Sequence, residues 1–536
     1  MLNHSFRIGF NLWVKEWSGA LLSGFSTYGL LLLAQPPRHV PEAAYFFLFP
    51  ALVWFSRKPD LKKVALTFLV CGWFYHIALV GWMRHVTFGG MLMASFLMSL
   101  YQLPWFLVAR AWLPVAIGFS FPRRVLLILG LSSCWVMIEW MRCQFTLGFP
   151  WCPLSVTQWE RPAILQTVPI LGAWGVSFFM IVFNLCLASY LHHLLVRRRE
   201  KEGFSLSSFC PDFYFGLLVF ILMVLPFFEN RRKAVSNEGQ RVLKVGVCQP
   251  YLRDKWKENR VLEHKETLVR QTKFLSLLNP DLIVWPEAST PYAVNLDRQW
   301  VENLAKDANC TLLIGAVVKE GDFSYNTISE VSPDLGLNPE RYDKQVLVPF
   351  GEYVPYPFRW IPGLSKMVGP VGNFTSGDHP HIFQIRAKDR KGAVRVGPLI
   401  CYEDIFPFLS RDIVSQEVDF LFVSTNDAWF EREGCAEQHA AHSILRALEL
   451  GRPFLRCGNA GWSGWIDARG IVREVLENEE GSIYFEGAGL FELLLPERNR
   501  TLYVRYGDYF LVVCLSLFSL SYLIKRKRID LSDEYG

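Results

Sequence analysis

Apolar runs long enough to cross a bilayer crowd the first 229 residues of this chain and are absent between 230 and 506. A bilayer core requires roughly 20 apolar residues per helix. Candidates lie near 17–34, 42–56, 63–83, 89–109, 124–142, 168–194 and 212–229, with an eighth at 507–524. The run at 42–56 is short for a span. Pro104, Arg110 and Pro114 blur the boundaries within 89–120, where a re-entrant piece would fit. Whole-chain averages hide this segregation: 51% of the 536 residues are hydrophobic and the mean hydropathy is only +0.19. The division predicts a transmembrane domain of about seven helices over 1–229, a folded domain over 230–506, and a last helix with a tail over 507–536. Arg7 and Lys15 precede the first run, but no small-residue cleavage site follows it, so it reads as a retained helix.

Charge sets an orientation. With the amino terminus in the cytoplasm, the inside loops carry Arg57, Lys58, Lys62 and Lys63, then Arg123 and Arg124, then Arg197 to Lys201, and finally Lys525 to Arg528. The cluster Arg231, Arg232 and Lys233 is the exception. The positive-inside rule therefore predicts eight helices, both termini cytoplasmic and 230–506 on the opposite side. A net charge of +5, carried by clusters flanking apolar runs, excludes a nucleic-acid partner. The twelve cysteines include no CxxC pair and no Cys/His spacing suited to zinc, so neither a disulfide framework nor a metal site is expected.

Between 230 and 506, strand-length apolar runs (243–248, 282–285, 311–316, 394–400, 420–424) alternate with helical patterns at 256–278 and 436–450. This predicts a layered α/β domain with buried sheets. Three of its segments put a chemically capable residue at the end of such a run. Glu287 follows Asp281 to Pro286; a carboxylate held against apolar walls can act as a general base. Lys344 precedes an apolar stretch that leads through Phe350-Gly351 to Glu352; a lysine there can stabilise an oxyanion, with Glu352 orienting it or the base. Cys401 ends Val396 to Ile400 and is followed by Tyr402, Glu403 and Asp404, the pattern of a nucleophile elbow. Taken singly, a surface glutamate, a surface lysine and a buried cysteine would be the commoner readings.

Taken together, in the order Glu, Lys, Cys, they resemble the nitrilase, or carbon–nitrogen hydrolase, superfamily. That resemblance implies a four-layer α/β sandwich with Glu287 as base, Lys344 and nucleophile Cys401. The string NDAWF from Asn426 to Phe430, and Gln438-His439 followed by Arg446 to Pro453, add to it. His439 by itself reads as a satisfied core histidine. A nitrilase-like domain between seven helices and one looks like the apolipoprotein N-acyltransferase family. Glu139, Trp140 and Arg142, then Gly148 to Trp151, are similar to that family's stretch after the fifth helix. Gln249-Pro250 with Trp256, Val348 to Pro355, and Cys401-Tyr402-Glu403 are similar to its other motifs. Two positions depart from the pattern: Glu431 stands where the family has glycine, and Cys457-Gly458 replace small or hydroxyl residues.

The resemblance implies a bacterial inner-membrane enzyme, multi-pass and monomeric, with its catalytic domain in the periplasm. Its acyl donor would be a phospholipid and its acceptor the amino group of a diacylglyceryl apolipoprotein; no cofactor is implied. Glu352, Tyr402, Glu403, Trp256 and Asn426 would support the site. The apolar, Pro- and Gly-rich stretch after Val354, with Phe358 and Trp360, reads as a lid at the membrane interface or as a packed loop. Glu139 and Arg142, three apart on a helix, read equally as a mutual pair or as a substrate contact. A tethered amidase acting on a soluble substrate and an inactive lipid-binding scaffold are the alternatives.

Overall fold

The computed structural model describes all residues except 1, 117, 145–148, 200–209, 234–240, 253–257, 357–359, 361–373, 389–391 and 535–536. Two compact units result: Met1–Gly81 with Gly89–Lys233 and Asp508–Gly536, and Trp82–Phe88 with Ala234–Gly507.

In the first unit, six helices among the described residues are long and apolar enough to cross a membrane: Trp17–Ala34, Leu61–Leu79, Phe88–Ala116, Phe121–Gln144, Ala173–Leu194 and Pro211–Phe228. The eight expected from sequence include two further runs, at 42–56 and 507–524. The 42–56 run breaks into a 3-10 turn, Pro41–Tyr45, and a helix of only seven residues, Phe49–Phe55. Seven residues rise about 10 Å, a third of a hydrocarbon core. The last helix, Phe510–Glu534, has an apolar stretch of Phe510 to Ile524 before its basic cluster, too short to count with the six. It packs inside the unit nonetheless: Ser521 Oγ donates to Leu126 O at 2.6 Å, and Phe518 stacks on Trp112. No re-entrant break occurs at 89–116, because the helix Phe88–Ala116 runs through Pro104 and Pro114. Proline is tolerated in such helices where neighbours satisfy the freed carbonyls. Glu139 and Arg142 are both buried. Each binds the segment that follows their helix: Glu139 Oε1 accepts from Leu154 N at 2.7 Å and from Trp135 Nε1 at 2.9 Å, and Arg142 Nη2 donates to Trp151 O at 3.2 Å.

Among the described residues the second unit holds twelve strands: β1 (Arg241–Gln249), β2 (Leu282–Val284), β3 (Thr311–Glu320), β4 (Phe323–Ser332), β5 (Gly336–Asp343), β6 (Phe383–Arg386), β7 (Ala393–Ile400), β8 (Phe420–Thr425), β9 (Phe454–Gly458), β10 (Gly464–Ile466), β11 (Val472–Val475) and β12 (Gly487–Leu495). They form two six-stranded sheets, ordered β12-β1-β2-β3-β4-β5 and β11-β10-β9-β8-β7-β6. Strands β1, β2 and β3 run parallel, as do β7, β8 and β9. Their near-continuous apolar sequences follow from burial on both faces. Val245, Val284, Leu313 and Ile328 of the first sheet meet Val396, Ile400, Phe422 and Leu455 of the second in one core. The far face of the first sheet, with Ile283, Leu312 and Ile314, packs on Leu268, Leu275, Val301 and Leu304 of the helices Val261–Ser276 and Gln299–Ala308. Helices Pro407–Ser415 and Cys435–Leu450 cover the second sheet. The order helix, sheet, sheet, helix is the expected four-layer sandwich. Each fully buried Leu, Ile or Phe in it stabilises by about 1.5–3 kcal/mol.

A short segment from between two apolar helices also belongs here. Trp82 Nε1 donates to Gln438 Oε1 at 3.0 Å, its ring meets Phe430 edge-on at 4.5 Å, and Arg84 and His85 bind Glu433.

Candidate active site

In open α/β sheets, chemistry gathers beyond the carboxyl ends of the parallel strands. Two loops leave such ends here, after β2 and β7, and a third leaves the edge strand β5, which pairs antiparallel with β4. After β2, Pro286 stops the ladder because it has no N–H to give, and Glu287 follows. Gly315 lets this turn approach β3: a Cβ there would lie 2.2 Å from Pro286 O. After β5, Lys344 remains tied to β4 through its N–H to Asn326 O at 2.9 Å. After β7 comes Cys401, opening the 3-10 helix Cys401–Ile405. Non-glycine residues in the left-handed region mark all three loops: Ala288 (φ 43), Phe350 (φ 61) and Cys401 (φ 53). Such conformations persist where the surroundings over-determine them, often at functional sites.

Lys344 is fully buried. Its Nζ donates to Glu352 Oε1 at 2.9 Å and to Glu287 Oε1 at 3.3 Å, and lies 5.4 Å from the centre of the Tyr402 ring. Burial alone would lower its pKa, but Glu352 and Glu287 outweigh that and hold the ammonium charged. Asn326, 2% exposed on β4, joins the two carboxylates: Nδ2 donates to Glu287 Oε1 at 2.8 Å and to Glu352 Oε1 at 3.1 Å. Val348 N donates to Glu352 Oε2 at 2.8 Å, which fixes that side chain from its own loop.

Of the twelve cysteines, Cys401 alone is not buried. Its partly buried surroundings push the thiol well above its ordinary value; Glu287 adds to this and Lys344 opposes it. A thiol so placed is protonated at rest and needs a base to become a nucleophile. Glu403 serves the scaffold: its carboxylate accepts from Gln345 N (2.7 Å), Val346 N (3.0 Å), Ile400 N (2.7 Å) and Tyr342 OH (2.9 Å). It thereby ties the Lys344 loop to the Cys401 turn. Burial pushes its carboxyl up to about 7, against the pull of Lys344 and those N–H groups. Tyr402 OH donates to Leu347 O at 2.5 Å, a second tie between the same loops.

Of the residues picked from sequence, Glu287, Lys344, Glu352, Cys401, Tyr402 and Glu403 thus form one connected cluster. Asn426 Oδ1 accepts from Asn459 Nδ2 at 2.9 Å and from Ala428 N, capping the turn Asp427–Phe430. Trp256 and Phe358 lie outside the described residues. Trp360 is 67% exposed, with Tyr356 beside it at 4.8 Å between ring centres. Asn326 and Tyr342 went unseen in the sequence; a polar side chain within a strand was their only signal.

This sandwich, with a buried lysine between two glutamates and a cysteine on a left-handed turn, defines the class: a carbon–nitrogen hydrolase fold. Residues 244–486 match the family model described as carbon–nitrogen hydrolase, and residues 29–186 match that of the apolipoprotein N-acyltransferase N-terminal domain. Both matched regions, in this order along the chain, make it similar to the apolipoprotein N-acyltransferase family. Curated relatives of that name include one from Geobacter metallireducens, 29% identical over 94% of each chain. Others come from Haemophilus influenzae, 30% identical over 63% of this chain and 64% of its own, and from Chlorobaculum tepidum, 26% identical over 95% and 96%. Among solved structures, an amidase from Nesterenkonia sp. is 15% identical, covering 52% of this chain and 98% of its own, with a TM-score of 0.37.

Proposed function

We propose that this chain moves an acyl chain from a membrane phospholipid, through a thioester on Cys401, to the α-amino group of the S-diacylglyceryl cysteine of an apolipoprotein. The observation that carries the reading is the buried Lys344 bound to both Glu287 and Glu352, coupled electrostatically to the Cys401 thiol. Glu287 takes the thiol proton as sulfur attacks the ester carbonyl. Charge builds on the carbonyl oxygen, where the Lys344 ammonium stabilises it. The C–O bond breaks, and the departing lysophospholipid alkoxide takes the proton back from Glu287. In the second half, the acceptor amine attacks the thioester, gives its proton to Glu287, and expels Cys401 sulfur, which regains that proton. Thioester aminolysis is downhill, so the chain needs no nucleotide.

Water would divert the thioester, and Lys344 and Glu287, at 0% and 8% exposure, lie where water is scarce. The exposed pair Tyr356 and Trp360 suits a lid dipping into the membrane interface, as aromatic side chains favour that zone. The basic clusters favour an inner-membrane protein with both termini cytoplasmic and the sandwich in the periplasm.

The test is mass spectrometry of detergent-solubilised protein given labelled phospholipid. A hydroxylamine-sensitive adduct on Cys401, absent in Cys401→Ser and discharged by a diacylglyceryl-cysteine peptide, is the expected result. Discharge by water alone would make the chain an amidase-type hydrolase. No adduct, with accessible lipid, would overturn the phospholipid donor.

A further inference from the structure

One imidazole lies between two buried carboxylates directly behind the nucleophile turn. His439, on the helix Cys435–Leu450, is 2% exposed. Its Nδ1 is 3.2 Å from Asp427 Oδ1; its Nε2 is 2.8 Å from Asp404 Oδ1 and 3.2 Å from the backbone oxygen of Cys401. A carbonyl and two carboxylates can only accept, so each ring nitrogen carries a hydrogen and the ring is an imidazolium. The other oxygen of Asp404 accepts from Ser443 Oγ and Arg456 Nη1. Two carboxylates, one guanidinium and one imidazolium sum to zero, the state in which buried charges compensate one another.

No step of the proposed transfer moves a proton through this group, yet its hydrogen bond ends on the nucleophile's own backbone. We infer that His439 is a positioning residue for acyl transfer: by donating to the Cys401 carbonyl it holds the nucleophile on its left-handed turn, and through Asp427 it ties that turn to the Asp427–Phe430 turn. A residue with a Cβ adopts φ 53 only against a steric penalty, and a charged donor on its carbonyl offsets that penalty. The imidazolium also compensates Asp427, whose charge otherwise pushes the Cys401 thiol up. Burial disfavours the charged ring and Arg456 opposes it, but Asp404 and Asp427 prevail, bringing His439 to about 8.

The inference rests on Cys401 being the acylated group, so its test carries a lipid-free arm. In His439→Gln the amide nitrogen falls near the place of Nε2; in His439→Asn it falls near Nδ1. With full-length protein in detergent, the glutamine variant is expected to form the Cys401 adduct within about threefold of the wild-type rate. The asparagine variant should be about 10²-fold slower, with KM for phospholipid unchanged. Alkylation of Cys401 by iodoacetamide should rank the variants in the same order, which separates lost positioning from a wrong acyl donor. Equal rates in the two variants, both melting like the wild type, would overturn the inference. Should either fail to fold, the wild type decides by its pH profile. The groups facing His439 are Asp404, Asp427, Arg456 and Ser443. Adduct formation is expected to fall above about pH 8; a rate that climbs without a break through the alkaline range overturns the role.

Discussion

Lys344→Met keeps the length of the side chain and removes its charge. Glu287 and Glu352 would then share one neutral donor, Asn326 Nδ2, with no cation between them. Removing one partner from a buried ion pair costs about 3–5 kcal/mol, because the remaining charge is left uncompensated. In a unit of this size each kcal/mol shifts the melting temperature by about 2–4 °C, so the expected fall is roughly 6–20 °C. Tryptophan fluorescence during heating of the detergent-solubilised protein reads it. A second variant isolates the cause. Lys344→Met with Glu352→Gln leaves a single carboxylate, Glu287, still bonded to Asn326, and should recover at least about 1 kcal/mol, or about 2–4 °C. Acyl transfer should fall by about 10²–10³-fold in the single variant, the usual effect of losing an oxyanion partner. A single variant melting within about 2 °C of the wild type would refute the compensation argument. So would a double variant that sums the two single losses.

Two further outcomes follow from the same electrostatics and backbone geometry. Glu431, with φ 52 and ψ −155, occupies a region that only glycine enters without strain; Glu431→Gly should stabilise the protein by about 1 kcal/mol, seen as a higher melting temperature, and a lower one would contradict the strain. His439 is raised from 6.5 to about 8 on folding, so its contribution is fully present below pH 6.5 and is lost as pH rises through 8. The loss is about 2 kcal/mol; melting temperature against pH should show it in the wild type and not in His439→Gln, and a loss on the acid side instead would reverse the assignment.

The strands that carry chemistry were legible because apolar runs of strand length are a local signal. The runs at 282–285, 311–316, 394–400 and 420–424 reappear in β2, β3, β7 and β8. Strands β4 to β6 and β9 to β12 were not foreseen, since their sequences mix polar and apolar residues on faces that only stacking defines. The run at 42–56 divides into Pro41–Tyr45 and Phe49–Phe55, a break that composition alone does not show. The departure at Glu431 was noticed in the sequence, but its physical meaning, a positive φ, needed the backbone.

By itself, the sequence determined the segregation of apolar runs into one half of the chain and the placing of Glu287 and Cys401 after strand-like segments, with Lys344 ahead of an apolar one. Both depend on neighbours along the chain, where burial imposes its own period. Only the tertiary structure decided what surrounds those three. Asn326 reaches Glu287 across 39 residues, and Tyr342 reaches Glu403 across 61. Arg456 meets Asp404 across 52, and Trp82 finds Gln438 across 356. Such contacts exist because two sheets stack and a buried polar atom must find a partner once water is excluded, a demand that the order of residues does not display.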